Sequence, residues 1–139
     1  MNKLILVRGV PGSGKSTYAR SLLEKNSEYV HFEADMWFER DGKYEFDAEK
    51  LGQAHAWCRA QTEAALRAGK TVIVSNTFTT IKELVPYFKI AKDVLGTYPD
   101  VFTCEGEFES IHDVPRDKIK QMRERFVTDI SELYDASSQ

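Results

Sequence analysis

Short apolar runs alternate with longer amphipathic segments along the chain. Short apolar or β-branched runs bounded by turn residues are typical of buried strands, and apolar residues at three- and four-residue spacing are typical of helices. The runs predict strands over Leu4–Val7, Tyr29–Glu33, Lys70–Val74 and Val101–Cys104. The segments between and after them predict helices over Ser16–Glu24, Asp47–Ala68, Thr80–Leu95 and from Pro115 to about Tyr134.

Strands that alternate with helices predict an α/β fold in three layers, α/β/α, around a parallel sheet of four or five strands. In such sheets ligands bind at the carboxyl ends of the strands. We expect three segments to meet at that edge: the loop after the first strand, Asp35 after the second, and Ser75-Asn76-Thr77 after the third.

The loop after the first strand carries the strongest chemical signal. Gly9-Val10-Pro11-Gly12-Ser13-Gly14-Lys15-Ser16 fits the phosphate-binding loop pattern, and it lies between a predicted strand and a predicted helix. Backbone N–H groups and the helix N-terminus suit phosphate, Lys15 would reach the terminal phosphates, and the Ser16 hydroxyl would bind Mg²⁺. The pattern therefore predicts a P-loop NTPase fold and a nucleoside triphosphate, ATP by default with GTP open, held by Gly9, Pro11, Gly12, Ser13, Gly14, Lys15, Ser16 and Thr17.

Length, charge and cysteine content limit the kinds of protein that this chain can be. With 139 residues we expect a single P-loop domain over 1–139. The net charge of −3 argues against an extensive non-specific nucleic-acid footprint. No stretch is apolar and long enough to predict a membrane span or a cleaved signal. Cys58 and Cys104 lack metal-ligand spacing, so we expect free thiols and a cytoplasmic location.

Asp35 is the candidate general base. A carboxylate after the second strand can orient an attacking hydroxyl and accept its proton, although Asp at this position also suits a turn or a helix cap. Glu33 is a rival carboxylate that we expect to lie within the strand. Ser75-Asn76-Thr77 lies at the end of the third strand, where many P-loop ATPases carry an acidic Walker B residue, and it contains no acid. Mg²⁺ would then be held by Ser16, the phosphates and water, with Asp35 near the water ligands.

Two further groups of residues are open to two interpretations. Asn76 and Thr77 either contact substrate or position Asp35, or they only form a turn. Arg116, Lys120 and Arg123 share one helix face, which suits either a solvated surface or a lid. As a lid, Arg116 or Arg123 would offset the charge that develops on the transferring phosphate.

Four segments in this order carry a family resemblance: Gly9–Thr17, Asp35, Ser75–Thr77 and Ile111–Pro115. Together they resemble P-loop kinase domains related to bacteriophage polynucleotide 5′-hydroxyl kinase and short AAA-type ATPase-like proteins. The resemblance implies transfer of the ATP γ-phosphate to a hydroxyl, foremost the 5′-OH of RNA or DNA, with Asp35 as general base.

The chain also departs from that family at two positions. Position 38 is Phe where the family has an Arg for the acceptor's 3′-phosphate, which leaves Arg40 as the nearby candidate. The lid region, about 106–118, has no Arg before Arg116. A nucleotide or other small molecule as acceptor, and a nucleotide-dependent binding module with little transferase activity, therefore stay open. The sequence does not predict the oligomeric state.

Overall fold

The computed structural model describes residues 2–40, 42–106 and 116–137 of the chain. A main sheet is formed by β1 (Leu4–Arg8), β2 (Val30–Phe32), β5 (Val72–Asn76) and β6 (Asp100–Thr103), and a small antiparallel hairpin by β3 (Glu39–Arg40) and β4 (Lys43–Tyr44). The helices are α1 (Lys15–Lys25), α2 (Leu51–Arg67), α3 (Ile81–Leu95), α4 (Arg116–Arg125) and α5 (Glu132–Ser137). None of the helices in these described ranges is long and apolar enough to cross a membrane.

The main sheet is parallel throughout and has the order β2-β5-β1-β6. β1 and β5 form its centre, and their side chains are all buried. Parallel pairing brings the carboxyl ends of β1, β2 and β5 to the same edge, as the sequence predicts. The predicted α/β fold with a four-strand parallel sheet is confirmed.

Period-two alternation divides the core between the two faces of this sheet. Ile5, Val7 and Ile73 pack with Ala19 of α1 on one face. The alternate residues of the same strands join a larger cluster with α2, α3 and α5 on the other face. The side chains at the ends of these strands also alternate between the two faces of the sheet.

The helix boundaries follow the expected local signals. Thr80 and Glu83 form the predicted capping box at the start of α3, and Gly96 ends that helix in the left-handed conformation, as its sequence suggests. Asp47 caps a short 3₁₀ helix, Ala48–Lys50, which leads directly into α2.

The prediction of one last helix from Pro115 to about Tyr134 was wrong. α4 ends at Arg125, residues 126–130 are not helical, and α5 begins at Glu132. The interruption lets the Phe126 ring lie 4.1 Å from the guanidinium carbon of Arg8, and lets the Val127 N–H donate to the Thr79 carbonyl at 2.9 Å. Tertiary contacts at this point replace helical hydrogen bonds.

Arg8 is the buried residue on which Phe126 packs. Its side chain is completely buried, and its Nε and Nη2 both donate to the Phe78 carbonyl, at 3.1 and 2.7 Å. Phe78 has φ of 46°, an unusual value for a residue with a side chain. Burial lowers the pKa of Arg8, while the negative charge of Glu83 opposes that effect. A buried cation needs compensation, and a carbonyl and an aromatic face supply part of it, while Nη1 has no hydrogen-bond partner among the described residues.

Candidate active site

The loop between β1 and α1 has the geometry of an anion-binding cradle. Gly12 and Gly14 have φ of 81° and 98°, left-handed values that glycine adopts without steric cost. Gly14 is the N-cap of α1 and supplies no side-chain hydrogen bond, so the first N–H groups of the helix are available to a ligand. Pro11 and Gly12 are half-buried beside this N-terminus, and Thr17 is exposed on the first turn.

The loop is packed closely against the end of β6. A Cβ added to Gly9 would lie 2.7 Å from the Cys104 carbonyl oxygen, so only glycine fits there. The Ser13 hydroxyl is buried and has no hydrogen-bond partner among the described residues. A buried hydroxyl without a partner inside the loop fits a site completed by a phosphate oxygen.

Lys15 lies at the start of α1, and its Nζ donates to the Val10 carbonyl at 3.1 Å. Burial lowers the pKa of Lys15, while the negative charges of Glu33 and Asp35, and the neighbouring Cys104 thiol, oppose that effect. The hydrogen bond of 3.0 Å from Ser16 Oγ to Glu33 Oε1 joins the end of β2 to the phosphate loop.

Glu33 is the central carboxylate at this edge, and its predicted location was wrong. β2 ends at Phe32, and Glu33 is the N-cap of a 3₁₀ helix, Ala34–Phe38. Its Oε1 accepts hydrogen bonds from Ser16 Oγ at 3.0 Å and Ser75 Oγ at 2.7 Å, and lies 3.4 Å from His31 Nε2. Burial alone would raise the pKa of Glu33, but the contacts with His31, Ser75 and Ser16 outweigh it and hold that pKa at about 2.

Asp35 lies two residues further along and faces the hairpin. Its Oδ1 accepts a hydrogen bond from the Tyr44 hydroxyl of β4 at 3.0 Å. Burial raises the pKa of Tyr44, and the negative charge of Asp35 raises it further, so Tyr44 acts as a hydrogen-bond donor. The carboxylate of Asp35 is half-buried at the edge of the sheet.

Asn76 positions the segment that carries Asp35. Its Oδ1 accepts the Ala34 N–H at 2.9 Å, and its Nδ2 lies 3.8 Å from Cys58 Sγ of α2. Thr77 contributes its carbonyl, which accepts the Gly9 N–H at 3.2 Å and joins this strand end to the phosphate loop. Of the interpretations left open for these two residues, the contacts favour positioning.

The candidate basic residues lie on α4 and in the hairpin. Arg116, Lys120 and Arg123 are exposed on α4. The backbone of Arg40 pairs with Lys43 in the hairpin, and its side chain lies outside the described part of the structure. Residues 107–115, which include most of the predicted lid and the Ile111–Pro115 segment, also lie outside it.

The oxygen atoms around Ser16 suit Mg²⁺. Hydroxyl and carboxylate oxygens, here Ser16 Oγ and Glu33 Oε1, are the hard donors that this cation prefers. Within residues 2–40, 42–106 and 116–137 no group of three or more His, Cys, Asp or Glu could hold a metal ion. In phosphoryl-transfer sites Mg²⁺ is bound by one or two such protein oxygens together with nucleotide phosphates and water.

Sequence comparison places the chain among known proteins. The model of a family described as "AAA domain" matches residues 4–128. NEDD4-binding protein 2 of Homo sapiens is 35% identical over 132 residues, 88% of this chain and 8% of that protein. The "Putative bifunctional polynucleotide phosphatase/kinase" of Acanthamoeba polyphaga mimivirus is 30% identical over 91 residues, 66% of this chain and 18% of that protein. The chain thus spans less than one fifth of the length of either relative.

Solved structures resemble the whole α/β core. A chain of the Pnkp1/Rnl/Hen1 complex aligns with 86% of this chain and 38% of its own length, at a TM-score of 0.56 and 22% identity. The Mycobacterium tuberculosis APS kinase CysC, in complex with AMPPNP and APS, aligns with 86% of this chain and 67% of its own length, at a TM-score of 0.55 and 20% identity. At these identities the likeness establishes the fold alone, a P-loop α/β fold.

Proposed function

The chain belongs to the family described as "AAA domain", and from that premise we propose that it is an Mg²⁺- and ATP-dependent kinase. It transfers the γ-phosphate to a hydroxyl, and the acceptor we favour is the 5′-OH of a polynucleotide. One observation carries the proposal: Ser16 of the phosphate loop donates a hydrogen bond of 3.0 Å to Glu33, and Asp35 lies two residues further along at the same strand end. The free thiols of Cys58 and Cys104 fit the reducing cytoplasm, which we propose as the compartment.

In the proposed reaction the acceptor oxygen forms a bond to the γ-phosphorus, the bond from that phosphorus to the bridging oxygen breaks, and ADP leaves. Asp35 accepts the proton of the attacking hydroxyl. Lys15 and the N–H groups at the start of α1 hold the phosphates. Bound Mg²⁺ would supply positive charge to the phosphate oxygens, and Ser16 would bind it. Arg116 or Arg123 of α4 would close over the triphosphate.

The hairpin is the proposed acceptor side of the site. Tyr44 donates to Asp35, and its ring stacks on Phe46 with centroids 6.3 Å apart and planes inclined by 15°. Phe46 is 52% exposed, so about half of its surface is open to solvent. An exposed aromatic face beside the general base suits the stacking of a nucleobase.

The same region supports the second candidate, a small or weakly charged acceptor such as a nucleoside or other small molecule. A shallow cavity beside the aromatic rings is lined by Glu45 and Asp47 as well as by Lys50. Carboxylates at this position oppose the approach of a polyanion. The phosphoryl chemistry assigned to Lys15, Ser16 and Asp35 is the same for either acceptor.

The proposal is tested by phosphoryl transfer from γ-labelled ATP and Mg²⁺ to a panel of 5′-OH RNA, 5′-OH DNA, nucleosides and nucleotides. We expect label on an oligonucleotide end with the wild-type chain. Lys15→Ala should abolish transfer by removing the phosphate contact. Asp35→Asn should reduce it by about 10²- to 10⁴-fold, the usual contribution of a general base.

Two exposed residues provide matched controls. Lys25→Ala at the end of α1 and Asp93→Asn on α3 make the same chemical changes away from the loop, and both should transfer at the wild-type rate. Label on a small molecule alone would keep the mechanism and replace the acceptor. ATP binding without transfer to any acceptor would refute the kinase proposal in favour of a nucleotide-dependent binding module.

A further inference from the structure

The end of β5 lacks the acid that a P-loop magnesium site ordinarily uses. In P-loop NTPases the ion is held by the loop Ser or Thr and by an acidic Walker B residue. Ser16 occupies the first of these positions, but the last residues of β5 are Ser75 and Asn76, which carry no charge. A site for Mg²⁺ therefore needs its carboxylate from another element.

The register of the sheet brings Glu33 to this place. β2 and β5 are parallel, with His31 opposite Ile73, so the residue two positions beyond His31 arrives beside Ser75. The hydrogen bond of 2.7 Å from Ser75 Oγ to Glu33 Oε1 joins the two strand ends. The same oxygen accepts from Ser16 Oγ at 3.0 Å, so the carboxylate lies next to the hydroxyl that would bind the ion.

A chain of hydrogen bonds fixes the orientation of this carboxylate. A serine hydroxyl has one proton to donate, and Ser75 donates it to Glu33. The contact of 2.6 Å between His31 Nε2 and Ser75 Oγ must then use the ring N–H as donor. The Glu33 side chain is only 19% exposed within this arrangement. Asp35, in contrast, accepts from Tyr44 on the side of the hairpin.

We infer that Glu33, supplied by β2, takes the place of the Walker B carboxylate that β5 lacks, and that Ser75 holds it in position. The two carboxylates then have separate tasks. Glu33 serves the Mg²⁺ bound at Ser16, directly or through the water ligands of the ion, and Asp35 serves the acceptor hydroxyl. The inference rests on the proposed function in one respect, that Mg²⁺ and nucleotide bind together at the phosphate loop.

The test compares ATP affinity in Mg²⁺ with ATP affinity in EDTA, so it does not depend on turnover. Wild type should bind ATP more tightly in Mg²⁺. Glu33→Gln should lose about tenfold or more of that gain, the usual cost of removing a carboxylate that supports a metal site. In EDTA its affinity should be unchanged or higher, because a negative charge near the phosphates is removed. Mn²⁺ binding to the nucleotide complex, followed by electron paramagnetic resonance, should weaken in parallel.

A double variant and two controls complete the experiment. Glu33→Ser combined with Ser75→Asp moves the carboxylate back to β5 and should restore the Mg²⁺ gain. Glu28→Gln and Asp93→Asn, both at exposed positions, should retain it.

The inference is overturned if Glu33→Gln keeps the full gain, or if its affinity falls equally in Mg²⁺ and EDTA, as a merely structural defect would cause. Failure of the wild-type chain to bind ATP under either condition would instead refute the proposed function.

Discussion

The carboxylate of Glu33 should make the stability of the ligand-free protein strongly dependent on pH. Its pKa in the folded chain is about 2, against an ordinary value of 4.5. A difference of about 2.5, at about 1.4 kcal/mol for each pKa unit, is worth about 3 kcal/mol at pH 7. Because the folded pKa is the lower one, this contribution is complete above pH 4.5 and is lost as the pH falls through the folded pKa. At pH 3 about 1.4 kcal/mol should be left.

Urea unfolding of wild type and Glu33→Gln between pH 7 and pH 3 measures this contribution. Gln cannot ionise, so the free-energy difference between the two chains should shrink from about 3 to about 1.4 kcal/mol over that range. His31 and Lys15 are the basic side chains that face the carboxylate, and both occur in both chains. Glu28→Gln serves as the exposed control and should show no such trend. An equal difference at pH 7 and pH 3 would refute the assigned ionisation.

Three further substitutions test local interactions that stabilise the fold, each by urea unfolding. Asn76→Ala leaves the buried Ala34 N–H without its acceptor and should cost about 1–3 kcal/mol. Phe126→Ala removes the ring beside the Arg8 guanidinium and should cost about 1–2 kcal/mol, whereas no change would mean that the contact contributes nothing. Gly52→Ala in α2, where an added Cβ meets no atom within 4 Å, should stabilise the chain by about 0.5–1 kcal/mol, and destabilisation would contradict the local geometry.

Most of the observed secondary structure could be predicted, because it depends on local sequence signals. The capping box at Thr80, the glycine after α3 and the apolar runs of β1 and β5 each act through near neighbours, so their positions follow from the sequence. The break between α4 and α5 could not be predicted in this way. It depends on Arg8, which is more than a hundred residues distant in the chain, and the amphipathic pattern continues through it.

A single motif predicts the phosphate loop, but no motif predicts the role that we propose for Glu33. That role follows from the register between β2 and β5, which no local pattern specifies. One signal was present in the sequence: His31 and Glu33 alternate with apolar Val30 and Phe32, so two polar groups share one face at the end of a half-buried strand. Polar side chains on such a face need hydrogen-bond partners. Ser75, which stands where many P-loop proteins have an acid, can provide one.

The last two residues of β5 show how one strand end can position both carboxylates. Side chains of consecutive strand residues point to opposite faces of the sheet. Ser75 points to the face of α1 and binds Glu33, whereas Asn76 points to the face of α2 and holds the Ala34 N–H that begins the turn with Asp35. Shifting β5 by one residue would exchange these partners and disconnect both carboxylates from the phosphate loop. The register of one buried strand therefore sets the proposed metal side and the proposed acceptor side together.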